Sequence, residues 1–321
     1  MSGSGVAGAL LHAVAPSPFS TVQDFGRVGW RRFGVTGAGA MDLESHAVAN
    51  ALVGNAVEAA TIEFAHGGGE WAISGARARI AVAGGSFAAS IDGRAVPEGS
   101  SAVLRPGERL QIGGARDAVW GYLAVSGGIR VERELGSRAT YARAGIGGLD
   151  GRKLEVGDAL PIQPPAVAGP ERRLDRASPG DPAAPIRVVL GPQDDYFTAE
   201  SIAVFLGSHY QVTWQADRMG YRLEGPPLEH SRGFNIVSDA ILPGSIQVPG
   251  NGRPIVLLRD AQTTGGYPKV ATIISADLGR FAQLRPLSRM RFAAVTPEAA
   301  QLLRREFITR VQATGLHARA G

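Results

Sequence analysis

The chain of 321 residues contains no cysteine. That excludes disulfides, thiolate metal sites and a cysteine nucleophile, and leaves the redox compartment open with a lean to the cytoplasm. Lysine is almost missing as well: Lys153 and Lys269 stand against 31 arginines. Such a ratio reads as base-composition bias, with arginine written wherever a generic surface cation is wanted. Although the net charge is +4, the arginines occur singly or in pairs, so no phosphate-binding stripe forms and no nucleic-acid partner is expected. No run approaches the ~18 apolar residues of a membrane span. The apolar stretch 6–15 lacks a cationic leader and contains His12, so neither membrane insertion nor a secretory signal is expected.

Familiar chemical motifs are also missing. There is no G-x-x-x-x-G-K-[ST] phosphate loop, and the glycine clusters 34–39 and 145–151 are not framed by a strand and a helix. No G-x-S-x-G elbow is present; Ser126 in V-S-G-G reads as a turn residue. The six histidines show no metal-ligand spacing, so no metal is indicated, and His46 reads as a half-exposed helix residue.

What is present points to a β protein. Hydrophobic residues make up 44%, enough for a core, and 44 Gly with 20 Pro favour short strands and tight turns over long helices. Strand-like runs occupy residues 77–83, 87–91, 108–112 and 118–125, then 186–190, 210–214, 234–237, 245–248, 254–258, 270–274 and 290–295. Three segments have helical period: 41–53, 198–206 and 297–311, the last with Thr296 as cap and Pro297 in the first turn. Seven prolines between Pro161 and Pro185 mark a linker. The expectation is a mainly β chain with a few helices, its domains at 1–162 and 186–321 joined by a linker at 163–185. Each would be a barrel or sandwich sealed by a helix. Two matches between the halves bear on duplication: R-V-G-W-R at 27–31 with R-M-G-Y-R at 218–222, and P-G-E-R-L-Q-I at 106–112 with P-G-S-I-Q-V at 243–248. Their separations differ, so shared turn chemistry is as good an explanation.

Two polar, glycine-rich segments stand out. In 21–55, Gln23, Asp24, Arg27, Asp42 and Asn50 surround G-A-G-A at 37–40, which precedes a helix N-terminus that would favour an anion. The alternative is an ordered loop with Asp42 as cap. In 260–285, Gly265 and Gly266 free the backbone and Pro268 fixes the chain before Lys269. A lysine retained in an arginine-writing chain suggests that a compact, point-charge amine is wanted there, although Lys153 shows that chance leaves one behind too. Asp277 is either a partner carboxylate or a cap for the turn at Gly279.

These segments carry a resemblance. T-V-Q-D-x-G-R-x-G, G-A-M-D, A-N-x-L-V-G-N, G-P-Q-D-D-Y-F, I-L-P-G-S-I-Q-V-P-G-N-G, D-A-Q-T-T-G-G-Y-P-K-V-A and A-D-L-G-R-x-A-Q follow in order from Thr21 to Phe292. Together they resemble the C-subunit family of 5-oxoprolinase, the biotin-dependent carboxyltransferase family, also called KipA-like or allophanate hydrolase subunit 2. The resemblance implies two cyclophilin-like β-barrel domains and a hydrolase subunit inactive alone. It would act with the B subunit (KipI-like) and the A subunit (LamB/YcsF-like) in the ATP-dependent hydrolysis of 5-oxo-L-proline to L-glutamate. ATP would be bound at or with one of these partners, and no biotin is expected on this chain, since neither lysine lies in A-M-K-M. Two alternatives come with it: a biotin-dependent carboxyltransferase subunit for urea or a related amide, and a regulatory protein that works by binding.

Carried over residue by residue, the resemblance suggests Lys269 as stabiliser of a developing oxyanion, and Asp277 and Asp42 for proton transfer or for orienting an amide N–H. Asn50, Gln262, Tyr267 and Gln283 would hydrogen-bond a small amide substrate, and Arg27 would pair with its carboxylate.

Overall fold

The computed structural model describes residues 9–163, 171–174, 181, 183–317 and 319–320. Most of the expected linker at 163–185, and the start of the apolar stretch 6–15, lie outside them. The chain divides into two compact units that are not consecutive stretches. One comprises Met1–Arg27, Ala38–Ala177 and Val311–Gly321; the other comprises Val28–Gly37 and Ser178–Arg310. Residues 28–37 belong to the second unit because the Arg31 guanidinium donates to the Ile241 carbonyl and Thr36 Oγ1 to the Arg259 carbonyl, at 2.7 Å.

The first unit is built from two antiparallel sheets. A six-stranded sheet runs in the order Ala159–Ile162, Ala9–Pro16, Gly69–Ser74, Arg109–Ile112, Ala89–Ile91, Arg94–Val96. A five-stranded sheet runs Thr21–Gln23, Thr61–Ala65, Trp120–Val125, Ala78–Ala83, Ser101–Leu104. Leu11, Ile62, Phe64, Trp71, Ile80, Leu110 and Leu123 share the core. Residues 9–14 of the strand Ala9–Pro16 alternate between buried and half-buried, as a strand with one covered face must. Trp120–Val125 is buried throughout, since helix α1 (Leu43–Val53) packs on this strand and on Ala78–Ala83. Its buried Ala47, Ala49 and Ala51 let the helix lie close.

In the second unit, eight strands form one sheet in the order Arg289–Met290, Tyr210–Ala216, Gly220–Glu224, Ile255–Leu257, Ser245–Gln247, Lys269–Ile273, Ile186–Leu190, Phe292–Ala294. The two edge strands are separated in the chain by Arg291 alone, so the sheet must curl until its edges nearly meet. Helices α2 (Ala199–Gly207), α3 (Leu278–Ala282) and α4 (Pro297–His317) complete the α-helices of the described residues. Phe205 of α2 stacks on Phe292 with ring centroids 4.7 Å apart. No helix among the described residues is long and apolar enough to cross a membrane.

The mainly β expectation and the three helices are observed, α4 running past residue 311 to His317. Residues 234–237 are not a strand: Val237 is 92% exposed, so its β-branched side chain has no pleated surface to fill. The A-D-L-G-R segment, expected to be a turn, starts α3, which at five residues is too short to show a period. Of the two internal matches, one is shared turn chemistry. Glu108 N–H bonds to the Arg105 carbonyl and Ser245 N–H to that of Leu242, both at 3.0 Å, around left-handed Gly107 and Gly244. The other does not superpose: Gly29 is left-handed in a loop, whereas Gly220 begins a strand.

Candidate functional site

In the first unit the chain from Gly39 into α1 uses its own side chains to satisfy its backbone. Gly39 N–H bonds to Gln23 Oε1 at 3.0 Å, Ala40 N–H to the Asp24 carbonyl at 2.9 Å and Met41 N–H to Glu63 Oε2 at 2.7 Å. Asp42 N–H bonds to the Tyr122 hydroxyl at 2.8 Å, and that hydroxyl donates to Glu63 Oε2 at 2.8 Å. Asp42 Oδ1 accepts from Glu44 N–H and Ser45 N–H, and Oδ2 from Ser45 Oγ at 2.6 Å. This is an N-cap. The anion expected at this helix N-terminus is therefore supplied by the protein's own Asp42. Gly39 has φ +86°, and a Cβ there would meet Gly26 Cα at 2.9 Å, so only glycine fits.

The neighbouring side chains are occupied as well. Fully buried Asn50 donates to the Ala59 carbonyl at 2.7 Å and to His46 Nε2 at 3.2 Å, and accepts from Asn55. Buried Arg27 donates to the Ala139 carbonyl. His46, expected to be half-exposed, is fully buried because α1 presses its flank onto the sheet. Thr61 Oγ1 lies 3.0 Å from its Nδ1. Desolvation pulls its pKa down to about 4, against the opposing pull of the Asp24 charge, so the imidazole is neutral. Burial, with the Glu63 and Asp42 charges beside it, pushes the Tyr122 phenol well above its ordinary value.

The second unit holds Lys269 at the start of its strand. The side chain is 2% exposed, and Nζ donates to Asp239 Oδ2 at 2.8 Å. Asp239 is itself 47% exposed. The same Oδ2 accepts from Gln193 Nε2 at 3.1 Å, while Gln193 Oε1 accepts from Lys269 N–H at 3.2 Å. Hydrogen bonds from Lys269, the Ala240 N–H and Gln193 hold the Asp239 carboxyl down at about 2. Behind the cluster, residues 264–265 pair with 239–240. A Cβ on Gly265 would strike Ile241 Cδ1 and come within 2.7 Å of Gln247 Nε2. The G-G-Y-P-K run thus has a glycine because the strand bearing Asp239 lies against it.

Asp277 is not the partner of Lys269. It lies four residues beyond the other end of the same five-residue strand, which itself spans roughly 13 Å at ~3.3 Å per residue. Its Oδ2 accepts from Arg187 N–H at 2.8 Å and Nε at 3.0 Å, and its Oδ1 from Arg187 Nη2 at 2.6 Å. With the carboxylate 1% exposed, these bonds tie α3 to the strand Ile186–Leu190. Gln283 caps α3 through its backbone. Gln262 and Tyr267 are exposed, and the Tyr267 carbonyl accepts from Gln247 Nε2 at 3.1 Å. The residues missed in the sequence are Asp239 and Gln193. Gln193 lies in the G-P-Q-D-D-Y-F motif, a signal that was available; Asp239 lies 30 positions before Lys269 in no recognisable pattern.

The carboxyltransferase domain, subdomain A and B family matches residues 33–294. The chain is 37% identical to the C subunit of 5-oxoprolinase from Escherichia coli over 303 residues, covering 92% of this chain and 95% of that one. It is also 37% identical to the C subunit of 5-oxoprolinase from Haemophilus influenzae, over 89% and 92% of the two chains. The crystal structure of Kluyveromyces lactis urea carboxylase superposes with a TM-score of 0.86 and 27% identity, covering 98% of this chain but 29% of that one. With sequence and fold agreeing over nearly the whole length, the chain belongs to the carboxyltransferase domain, subdomain A and B family.

Proposed function

We propose that this chain acts as the C subunit of a 5-oxoprolinase, a hydrolase complex that opens the ring of 5-oxo-L-proline to give L-glutamate. The observation that carries this reading is the two-way coverage of the E. coli protein, 92% and 95% at 37% identity. In the reaction the lactam C–N bond breaks and water adds, leaving a carboxylate and a free amine. ATP hydrolysis drives it. The sequence has no phosphate loop, which supports nucleotide binding by, or jointly with, a partner, and a chain inactive alone. The partners are an A subunit (LamB/YcsF-like) and a B subunit (KipI-like). Within this chain, the Lys269–Asp239–Gln193 cluster supplies polar groups suited to a small amide.

The test is reconstitution with these two partners. Glutamate should be released from 5-oxoproline with ATP, and omission of any one of the three proteins should abolish release. Folded, associated proteins that release none would overturn the assignment. A second reading follows from the urea carboxylase superposition: transfer of a carboxyl group from a biotin carrier on another chain to urea or a related amide. Carboxylation of urea by this chain with a carboxybiotin carrier, and no glutamate release, would favour it.

A further inference from the structure

The residue singled out by composition is not the one its cluster presents. Lys269 is buried to 2% exposure while Asp239 is 47% exposed. We propose that Asp239 is the ligand-facing group of the second unit, an ionised carboxylate that accepts the N–H of a small cyclic amide. Lys269 and Gln193 are positioning residues that hold it. This deepens the 5-oxoprolinase reading and rests on it for the identity of the ring.

Four observations carry the assignment. First, the carboxylate is fixed. Lys269 Nζ and Gln193 Nε2 share Oδ2 at 2.8 and 3.1 Å, and the Ala240 N–H reaches Oδ1 at 2.7 Å. A carboxylate offers about four acceptor positions, so these three bonds leave room for a further donor. Second, its backbone is pinned. Residues 239–240 pair with 264–265, Ile241 N–H bonds to the Thr263 carbonyl at 2.9 Å, and Arg31 donates to the Ile241 carbonyl. Third, the cation that holds it is a buried, compact one. Lys269 meets Asp239 through a single ammonium with its side chain 2% exposed, a point charge where a planar guanidinium would be larger and forked. Fourth, a carboxylate held this far into its ionised range is a weak base. It orients an amide N–H rather than removing the proton, and it turns the ligand's own carboxylate away from itself.

The probe is a pair of rings, 5-oxo-L-proline and its N-methyl analogue, which lacks the N–H. Their binding to the reconstituted complex is measured by calorimetry. Wild type should prefer the N–H ring by about 10- to 100-fold, the scale of a hydrogen bond to a charged group. Asp239→Asn, at a half-exposed position that leaves an acceptor oxygen for Lys269, should erase that preference. Lys269→Met should reduce it, and the Asp239 carboxyl resonance in NMR should titrate at higher pH than in wild type. If Lys269→Met fails to fold, half-buried Gln193→Ala serves in its place and should lower the preference several-fold. Equal binding of the two rings by wild type, no binding of either, or an unchanged preference in Asp239→Asn would overturn the proposal. A complex that discriminates between the rings yet releases no glutamate would overturn the 5-oxoprolinase reading and leave the role of Asp239 standing.

Discussion

The two polar, glycine-rich segments look alike as strings of residues but do opposite work. At the start of α1, fully buried Glu63, His46 and Asn50 and the Asp42 cap spend their polar atoms on backbone groups and on one another. At Lys269 the cation is buried and its carboxylate partner is left at the surface. A buried network satisfied from within builds a loop; a charged group held still from behind and open in front is equipped to meet a ligand. Polar density by itself does not separate these cases. The difference is whether a group with acceptor or donor capacity remains exposed.

Substitutions can break or sharpen this contrast, since those in the first segment should cost stability and those in the second should cost ligand handling. The largest effect is expected for Glu63→Ala, which strands the Met41 N–H and the Tyr122 hydroxyl in the core. Two unsatisfied donors at about 1–3 kcal/mol each should lower the unfolding free energy in urea by about 2–6 kcal/mol. A loss under 1 kcal/mol would show that the network is not holding the loop.

Next comes the pH dependence set by His46. Its folded pKa is about 4, below the ordinary 6.5. The unfolded chain therefore binds the extra proton first, and stability is full above pH 6.5 and falls as pH drops toward 4. The span corresponds to about 3 kcal/mol. Melting temperatures measured from pH 7.5 to 4 should fall along this limb in wild type and less steeply in His46→Gln; parallel curves would contradict the assignment.

Gly265→Ala tests the other segment. Its methyl group would press on Ile241 and Gln247, at a cost of about 1–3 kcal/mol for overpacking, and would displace the strand bearing Asp239. Crystal structures of the variant should show that strand moved, with the Lys269–Asp239 distance lengthened from 2.8 Å. Asp42→Ala should be milder, removing one helix cap at about 1 kcal/mol, with glutamate release by the reconstituted complex unchanged apart from that stability loss. A collapse of turnover without unfolding would move Asp42 from cap to chemistry. The smallest effect belongs to exposed Gln262→Ala, expected to stay within about 0.5 kcal/mol. A specific loss of ring binding in that variant would extend the ligand site beyond Asp239.

The β class, the three longer helices and the Pro-Gly turns were legible because each depends on neighbours a few positions apart: Thr296 before Pro297, alternation along Arg109–Ile112, proline and glycine at 243–244. Lysine at 269 was legible for a different reason, as an exception to the chain's arginine usage. None of these cues carried the partner of that lysine. Asp239 meets it at 2.8 Å only because residues 239–240 pair with 264–265 and Gln193 arrives from a third stretch of chain. Nor did local pattern show that Asp277 binds Arg187, 90 residues away, or that residues 28–37 leave the first unit for the second. Local chemistry determines turns, caps and strands, because their energies are set within a few residues. Which charges meet, and which of a pair stays in water, was decided by the closing of the barrel, which brings distant segments together and buries one side of each pair.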